Sequence, residues 1–161
     1  HLFSSAASDV YKRQDIGFVG KDVLNEITEE ENFYEILDLG FGKCRLSLAS
    51  FKKKSSFNKP IVATKYPVSA KAFFASKFQN VEIINLKGAI EIAPILGLSD
   101  CIVDLVQTGN TLRENGLSEL EVIQNISTRL IINKSSFKTK SLKIEKLISS
   151  IKYHRNGKNK S

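Results

Sequence analysis

The sequence predicts an α/β fold, helices layered on a largely parallel sheet, and three observations carry that prediction. Short strand-like runs alternate with helical ones between Ile61 and Val106, the mark of successive β-α-β units. The composition, 42% apolar and 25% charged over 161 residues, is that of an ordinary globular chain. Near the end Ile144, Leu147, Ile148 and Ile151 recur at helical spacing, so a helix with one apolar stripe closes the chain.

Residues 1–14 are small, polar and aperiodic, and are expected to be a non-native lead before the strand at Asp15 to Val19. Gly20 and Lys21 turn the chain into a short helix carrying Val23, Leu24 and Ile27, which ends in the acidic Glu29 to Asn32. Tyr34 to Leu39 leads to Gly40 and Gly42; Arg45 to Ala49 alternates leucines with polar residues and reads as a strand; Lys52 to Lys59 reads as a loop. Ile61 to Thr64 is a strand, and Pro67 opens the helix from Val68 to Phe78, where its missing N–H costs nothing. Val81 to Leu86 is the next strand, Gly88 opens a short apolar helix through Leu96, and Cys101 to Val106 is a strand again. Two more strands, Leu120 to Ile123 and Thr128 to Ile132, precede the closing helix, and residues 154–161 are expected to be a disordered basic tail.

Composition narrows the chemistry. The only histidines, His1 and His154, fall in the expected tails, which argues against a Ser-His-Asp or Cys-His nucleophile and a histidine-held catalytic metal. Cys44 and Cys101 stand far apart with no C-x-x-C, which suits a reducing compartment better than a disulfide or zinc scaffold. Apolar runs are too short for a membrane helix and no signal peptide is legible, so a cytoplasmic location is expected. The chain lacks methionine altogether and is expected to be a fragment. Its net charge of +7 is uneven: Phe51 to Lys87 holds eight lysines against Glu82 alone. Such asymmetry suits an anionic ligand, a nucleic acid, or plain solvated lysines, and no nucleic-acid motif or stacking platform accompanies it.

The most informative segment runs from Asp100 to Leu112. Asp104 interrupts the apolar strand Ile-Val-Asp-Leu-Val, a conflict that stability alone does not explain. Thr108, Gly109, Asn110 and Thr111 follow as a polar loop, with Thr111 and Glu114 at capping-box spacing. Backbone N–H groups and hydroxyls converging after a strand suit a phosphate, and an acid just before them suits ribose hydroxyls or magnesium. The plainer alternative is a turn whose Thr111 only caps and whose Gly109 only permits positive φ. Lys21 follows Gly20, but Asp15 and Asp22 stand where a P-loop needs glycine and a hydroxyl. Ala63-Thr-Lys-Tyr-Pro67 and Leu86-Lys-Gly-Ala-Ile-Glu91 are two further turns at the same sheet edge, which adds Thr64, Tyr66 and Glu91 as candidates.

The stretches Gly17 to Leu24, Tyr34 to Leu46, Ala63 to Pro67, Leu86 to Asp100, Ile102 to Leu117 and Ile126 to Lys140 together resemble the catalytic chain of the ATP phosphoribosyltransferase family. The resemblance implies a two-lobed, periplasmic-binding-protein-like (type II) α/β fold with an incomplete first lobe. One lobe would be 15–44 plus 129–153 and the other 45–128, with crossings near Cys44 to Ala49 and Thr128 to Asn133. It implies the first step of histidine biosynthesis, in which ATP and phosphoribosyl pyrophosphate give N1-(5-phosphoribosyl)-ATP and pyrophosphate. Thr108, Gly109, Asn110, Thr111 and Leu112 would surround the 5-phosphate, Asp104 would lie near the ribose, and Lys21, Thr64, Tyr66 and Glu91 would fall at cleft positions. No acid or base is assigned, because leaving-group neutralisation and support for an oxocarbenium-like transition state suffice. Mg2+ would be carried mainly by substrate, and a histidyl-tRNA-synthetase-like regulatory subunit would be the partner of this short form. Two departures stand out: Leu86-Lys-Gly-Ala89 replaces the family's Leu-Asn-Gly-Ser, and the family's upstream Pro-Lys-Gly-Arg segment is missing. A non-catalytic module binding an anionic solute on the same fold is the competing expectation.

Overall fold

The computed structural model describes residues 15–27, 32–51 and 59–157, with side chains to 153. The expected lead (1–14), the acidic helix end (28–31), most of the lysine-rich loop (52–58) and the last residues of the tail (158–161) lie outside the described residues. The described residues form two compact units: 15–20, 32–41 and 128–157 make one, and 21–27, 42–51 and 59–127 the other.

In the first unit β1 (Ile16–Gly20) and β2 (Phe33–Asp38) both pair antiparallel with the central β8 (Thr128–Asn133). Leu130 and Ile132 are fully buried, as expected of the middle strand. Asn133 caps α4 (Lys134–Thr139) by accepting from the Ser135 N–H at 2.9 Å. Phe137 packs edge-on against Tyr34 with ring centroids 5.6 Å apart, which ties α4 to β2. The closing helix α5 (Ser141–Gly157) buries Ile144, whereas Leu147 is exposed. It continues helical through residue 157, so residues 154–157 extend the helix and are not part of a disordered tail.

The second unit is built on a five-stranded sheet ordered β5-β4-β6-β3-β7, from β3 (Cys44–Phe51), β4 (Ile61–Thr64), β5 (Glu82–Asn85), β6 (Cys101–Val106) and β7 (Leu117–Ile126). β4 runs parallel to β5 and β6, but β3 is antiparallel to both β6 and β7. The sheet is therefore mixed, not largely parallel. Local alternation cannot tell which way a strand such as Arg45 to Ala49 enters the sheet.

Period-two alternation sends the side chains of this sheet to two cores. Leu46, Leu48, Val62, Cys101 and Val103 pack with Ala70 and Phe74 of α2 (Pro67–Ser76) on one face. Ala49, Ala63, Ile102 and Val106 pack on the other with Ile90, Ala93 and Leu112. The expected apolar helix after Gly88 is only a 3-10 turn, Ile90–Ile92, because Pro94 brings no N–H to continue it and Gly97 takes φ +69°. Helix α1 (Lys21–Glu26) belongs to this unit and not with residues 15–44. Its Glu26 accepts from the Val68 and Ser69 N–H groups at the start of α2, at 2.8 and 2.9 Å, and its Asp22 accepts from the Tyr66 hydroxyl at 3.2 Å. The chain passes between the units at Phe41/Gly42 and Ser127/Thr128, and twice more on either side of α1, at Gly20/Lys21 and after Ile27.

Candidate functional site

The carboxyl end of β6 opens into a pocket of about 260 Å³, lined by Glu91, Asp104 and residues 105–112. That volume lies just under the usual range for ligand sites, roughly 300–1,000 Å³. Every residue of the expected phosphate loop is here, together with two of the expected acids.

The loop is shaped by Gly109, whose φ of +79° makes it the N-cap of α3 (Asn110–Glu114). Helix α3 therefore starts one residue before Thr111, and the expected capping box does not form. Among the described residues the Thr111 hydroxyl makes no hydrogen bond and the residue is exposed. Leu112 turns its side chain into the core, 7% exposed, and anchors the loop from beneath. The Arg113 guanidinium lies over the loop, donating to Thr108 O at 3.4 Å and to Asn110 Oδ1. It keeps a cation beside the hydroxyls.

Asp104 sits on the sheet face shared by Ala63 and Ser47, its side chain 23% exposed and its Oδ1 accepting from the Leu105 N–H at 2.8 Å. Burial raises its pKa above the ordinary aspartate range; the Leu105 N–H and Lys65 pull it down, and Glu91 pushes it up again. Glu91 is held beside the pocket by Ala89, a non-glycine residue at φ +53°. Such a left-handed alanine costs about 1–2 kcal/mol.

Three expected cleft residues do not line this pocket. Thr64 is fully buried, donating to Val103 O at 2.6 Å and accepting from the Tyr66 N–H at 2.9 Å. Tyr66 is buried with its hydroxyl on Asp22, and burial together with Asp22 raises its pKa well beyond the ordinary range. Both belong to the sheet face opposite Asp104. Lys21 starts α1, with its N–H donating to Ser127 O at 3.1 Å, and does not line the pocket. Asp100 lies at the other end of β6, where its Oδ2 accepts from the Ile61 N–H at 3.0 Å.

Lys65, the ammonium of the Ala63–Pro67 motif but not one of the candidates drawn from it, has its Nζ 3.8 Å from Asp104 Oδ1, and Arg113 is a further residue that sequence reasoning missed. Strand parity was the available signal, since Lys65 is two residues past Ala63 and so follows the Asp104 face. No group of three or more histidine, cysteine or acidic side chains able to hold a metal occurs among the described residues.

A family profile described as ATP phosphoribosyltransferase matches residues 10–153, beginning inside the segment read as a foreign lead. The chain belongs to the ATP phosphoribosyltransferase family. An ATP phosphoribosyltransferase of Clostridium kluyveri is 51% identical over 140 residues, and the alignment covers 85% of this chain and 63% of that protein. One from Clostridium botulinum is 49% identical over 158 residues, covering 93% of this chain and 74% of that protein. Among solved structures, the ATP phosphoribosyl transferase (HisG:HisZ) complex from Thermotoga maritima matches with a TM-score of 0.79 at 35% identity, over 92% of this chain and 73% of that one. YhfZ from Shigella flexneri, 15% identical with a TM-score of 0.61 over 82% of this chain and 63% of that one, shares the fold alone. These structures share the mixed α/β fold of this chain, as the family implied. No described helix is long and apolar enough to cross a membrane.

Proposed function

We propose that the pocket at the end of β6 is the phosphoribosyl pyrophosphate site of an ATP phosphoribosyltransferase, which joins N1 of the ATP adenine to C1 of the donor and releases pyrophosphate. The observation that carries this reading is the convergence of Asp104, Glu91 and the Thr108–Thr111 loop in one pocket. The loop hydroxyls and N–H groups hold the 5-phosphate, and the Arg113 cation beside them balances its charge. Asp104 accepts from ribose hydroxyls and, with Glu91, places negative charge where the ribose turns oxocarbenium-like. That stabilisation grows in the transition state, so it lowers the barrier more than it tightens ground-state binding.

Two carboxylates in the pocket wall fit a hard cation whose remaining oxygen ligands come from the donor. Bound Mg2+ would supply charge neutralisation to the departing pyrophosphate. Asp104 and Glu91 are the residues that would face it. The reading includes a cytoplasmic location and a histidyl-tRNA-synthetase-like regulatory subunit as partner, supported by the HisG:HisZ assembly of the Thermotoga maritima protein.

The test is a thermal melt of the chain with magnesium and phosphoribosyl pyrophosphate, against pyrophosphate as a general anion. A donor at a hundred times its Kd adds about 2.7 kcal/mol. A rise with the donor well beyond the pyrophosphate control supports the site, and equal response to both sinks it.

A further inference from the structure

The loop leaves β6 at Gln107, and the carbonyl of that residue is held by a side chain of the neighbouring strand. Arg45 Nη1 donates to Gln107 O at 3.1 Å. The guanidinium cannot turn away easily, because its Nε and Nη2 donate to Glu119 Oε1 and Oε2 at 2.5 and 2.6 Å in a two-pronged pair. Glu119 is steadied in turn by the Ser47 hydroxyl, which donates to Oε1 at 2.7 Å from a fully buried position. Three strands are tied by this chain of contacts: Glu119 lies on β7, Ser47 and Arg45 on β3, and Gln107 follows β6.

Arg45 itself does not line the pocket, whereas Gln107 and Thr108 do. A trans peptide carries its C=O and the following N–H on opposite sides, and no cis peptide occurs among the described residues. A guanidinium holding the Gln107 carbonyl therefore turns the Thr108 N–H the other way. Rotating that peptide by half a turn would exchange the two, setting a carbonyl oxygen where the donor had been, and a carbonyl repels an anion.

We propose that Arg45 is a positioning residue for the anion loop: steadied by Glu119 and Ser47, it holds the Gln107 carbonyl and so sets the Gln107–Thr108 peptide to present its N–H to a phosphate-bearing ligand. The claim rests on the phosphoribosyl reading of the loop for the identity of that ligand. Its structural half, the hold on the peptide, does not.

The experiment uses the 15N-labelled chain. It follows the Thr108 amide resonance without ligand, then titrates magnesium phosphoribosyl pyrophosphate, with inorganic phosphate as a simple anion. Arg45→Ala and Arg45→Lys should displace or broaden the unliganded Thr108 resonance and weaken donor binding at least tenfold, because a lysine cannot span Glu119 and Gln107 together. Glu119→Gln should do the same to a smaller degree, and Lys77→Ala, which removes the surface pair with Glu121, should do neither. If Arg45→Ala does not fold, Arg45→Lys and Glu119→Gln carry the comparison. An unmoved Thr108 resonance with donor affinity within twofold of the parent overturns the proposal. If the parent chain binds no donor, the phosphoribosyl reading fails, while the unliganded amide still decides the Arg45 hold: displacement supports it and constancy overturns it.

Discussion

Lys65 brings its Nζ within 3.8 Å of Asp104 Oδ1, while Thr64, its neighbour in the chain, is buried on the opposite face of the same sheet. One step beyond the last residue of β4 separates a residue that faces the pocket acid from one that braces the fold. Successive side chains of a strand point to opposite sides, so a motif at a strand end divides between two environments. The pair itself is partly exposed and contributes little to stability. Its consequence is electrostatic, since Lys65 opposes the rise in the Asp104 pKa.

Thr64→Val should test that division. It leaves the Tyr66 N–H without its acceptor in a buried site, which costs about 1–3 kcal/mol. Chemical denaturation should show the loss, and titration with phosphoribosyl pyrophosphate should give an unchanged Kd. A large loss of affinity in a stably folded variant would return Thr64 to the binding site.

Asp104→Asn should move stability and binding in opposite directions. The folded pKa of Asp104 is raised, so its contribution to stability is fully present below the ordinary value of 3.8 and lost as pH rises through the folded value. At neutral pH the ionised carboxylate is a cost, and asparagine keeps the acceptor for the Leu105 N–H. The variant should gain about 0.5–2 kcal/mol at pH 7, an advantage that shrinks as pH falls through the raised folded value and is gone below pH 3.8, and lose donor binding. Melts across that range, paired with a binding titration at pH 7, check both halves.

Thr111→Ala has a sharp outcome because Gly109, not Thr111, caps α3. Donor affinity should fall about tenfold, the worth of one hydrogen bond to a charged group. The stability of the unliganded chain should stay within roughly 0.5 kcal/mol of the parent. Loss of stability with unchanged affinity would show that the hydroxyl serves the fold.

Gly109→Ala should damage both. Its φ of +79° strains any residue with a Cβ, and the added atom would meet Arg113 Nη1 at 3.3 Å. The expected cost is about 1–2 kcal/mol, with donor binding weakened more than the fold. Parallel melts and titrations separate the two effects.

Acid should expose the Glu119 pair. The hydrogen bond from Arg45, with that from Ser47, lowers the Glu119 pKa below its ordinary 4.5. A depressed carboxylate contributes stability above the ordinary value and loses it as pH falls through the folded one. The stability difference between the parent and Glu119→Gln should therefore be constant near neutrality and shrink below pH 4.5. A difference independent of pH would show that the pair adds nothing through its charge.

The sequence by itself determined whatever rests on neighbours in the chain. Short apolar runs located β4, β6 and β8, Pro67 marked the first turn of α2, and Asp104 stood out with the Thr108–Thr111 loop as a polar residue where a strand should be apolar. Only the tertiary structure decided what depends on pairing across distance. The antiparallel entry of β3 made the sheet mixed, and the contacts of Asp22 and Glu26 with Tyr66, Val68 and Ser69 drew α1 into the second unit. Face assignment then sorted the Ala63–Pro67 motif, sending Thr64 and Tyr66 to the core and Lys65 to Asp104. Likewise Arg45 and Glu119, seventy-four residues apart, acquire a role only once β3 and β7 lie side by side. Periodicity records which residues share a face of one element, but the partner of that face is chosen by the whole chain packing at once.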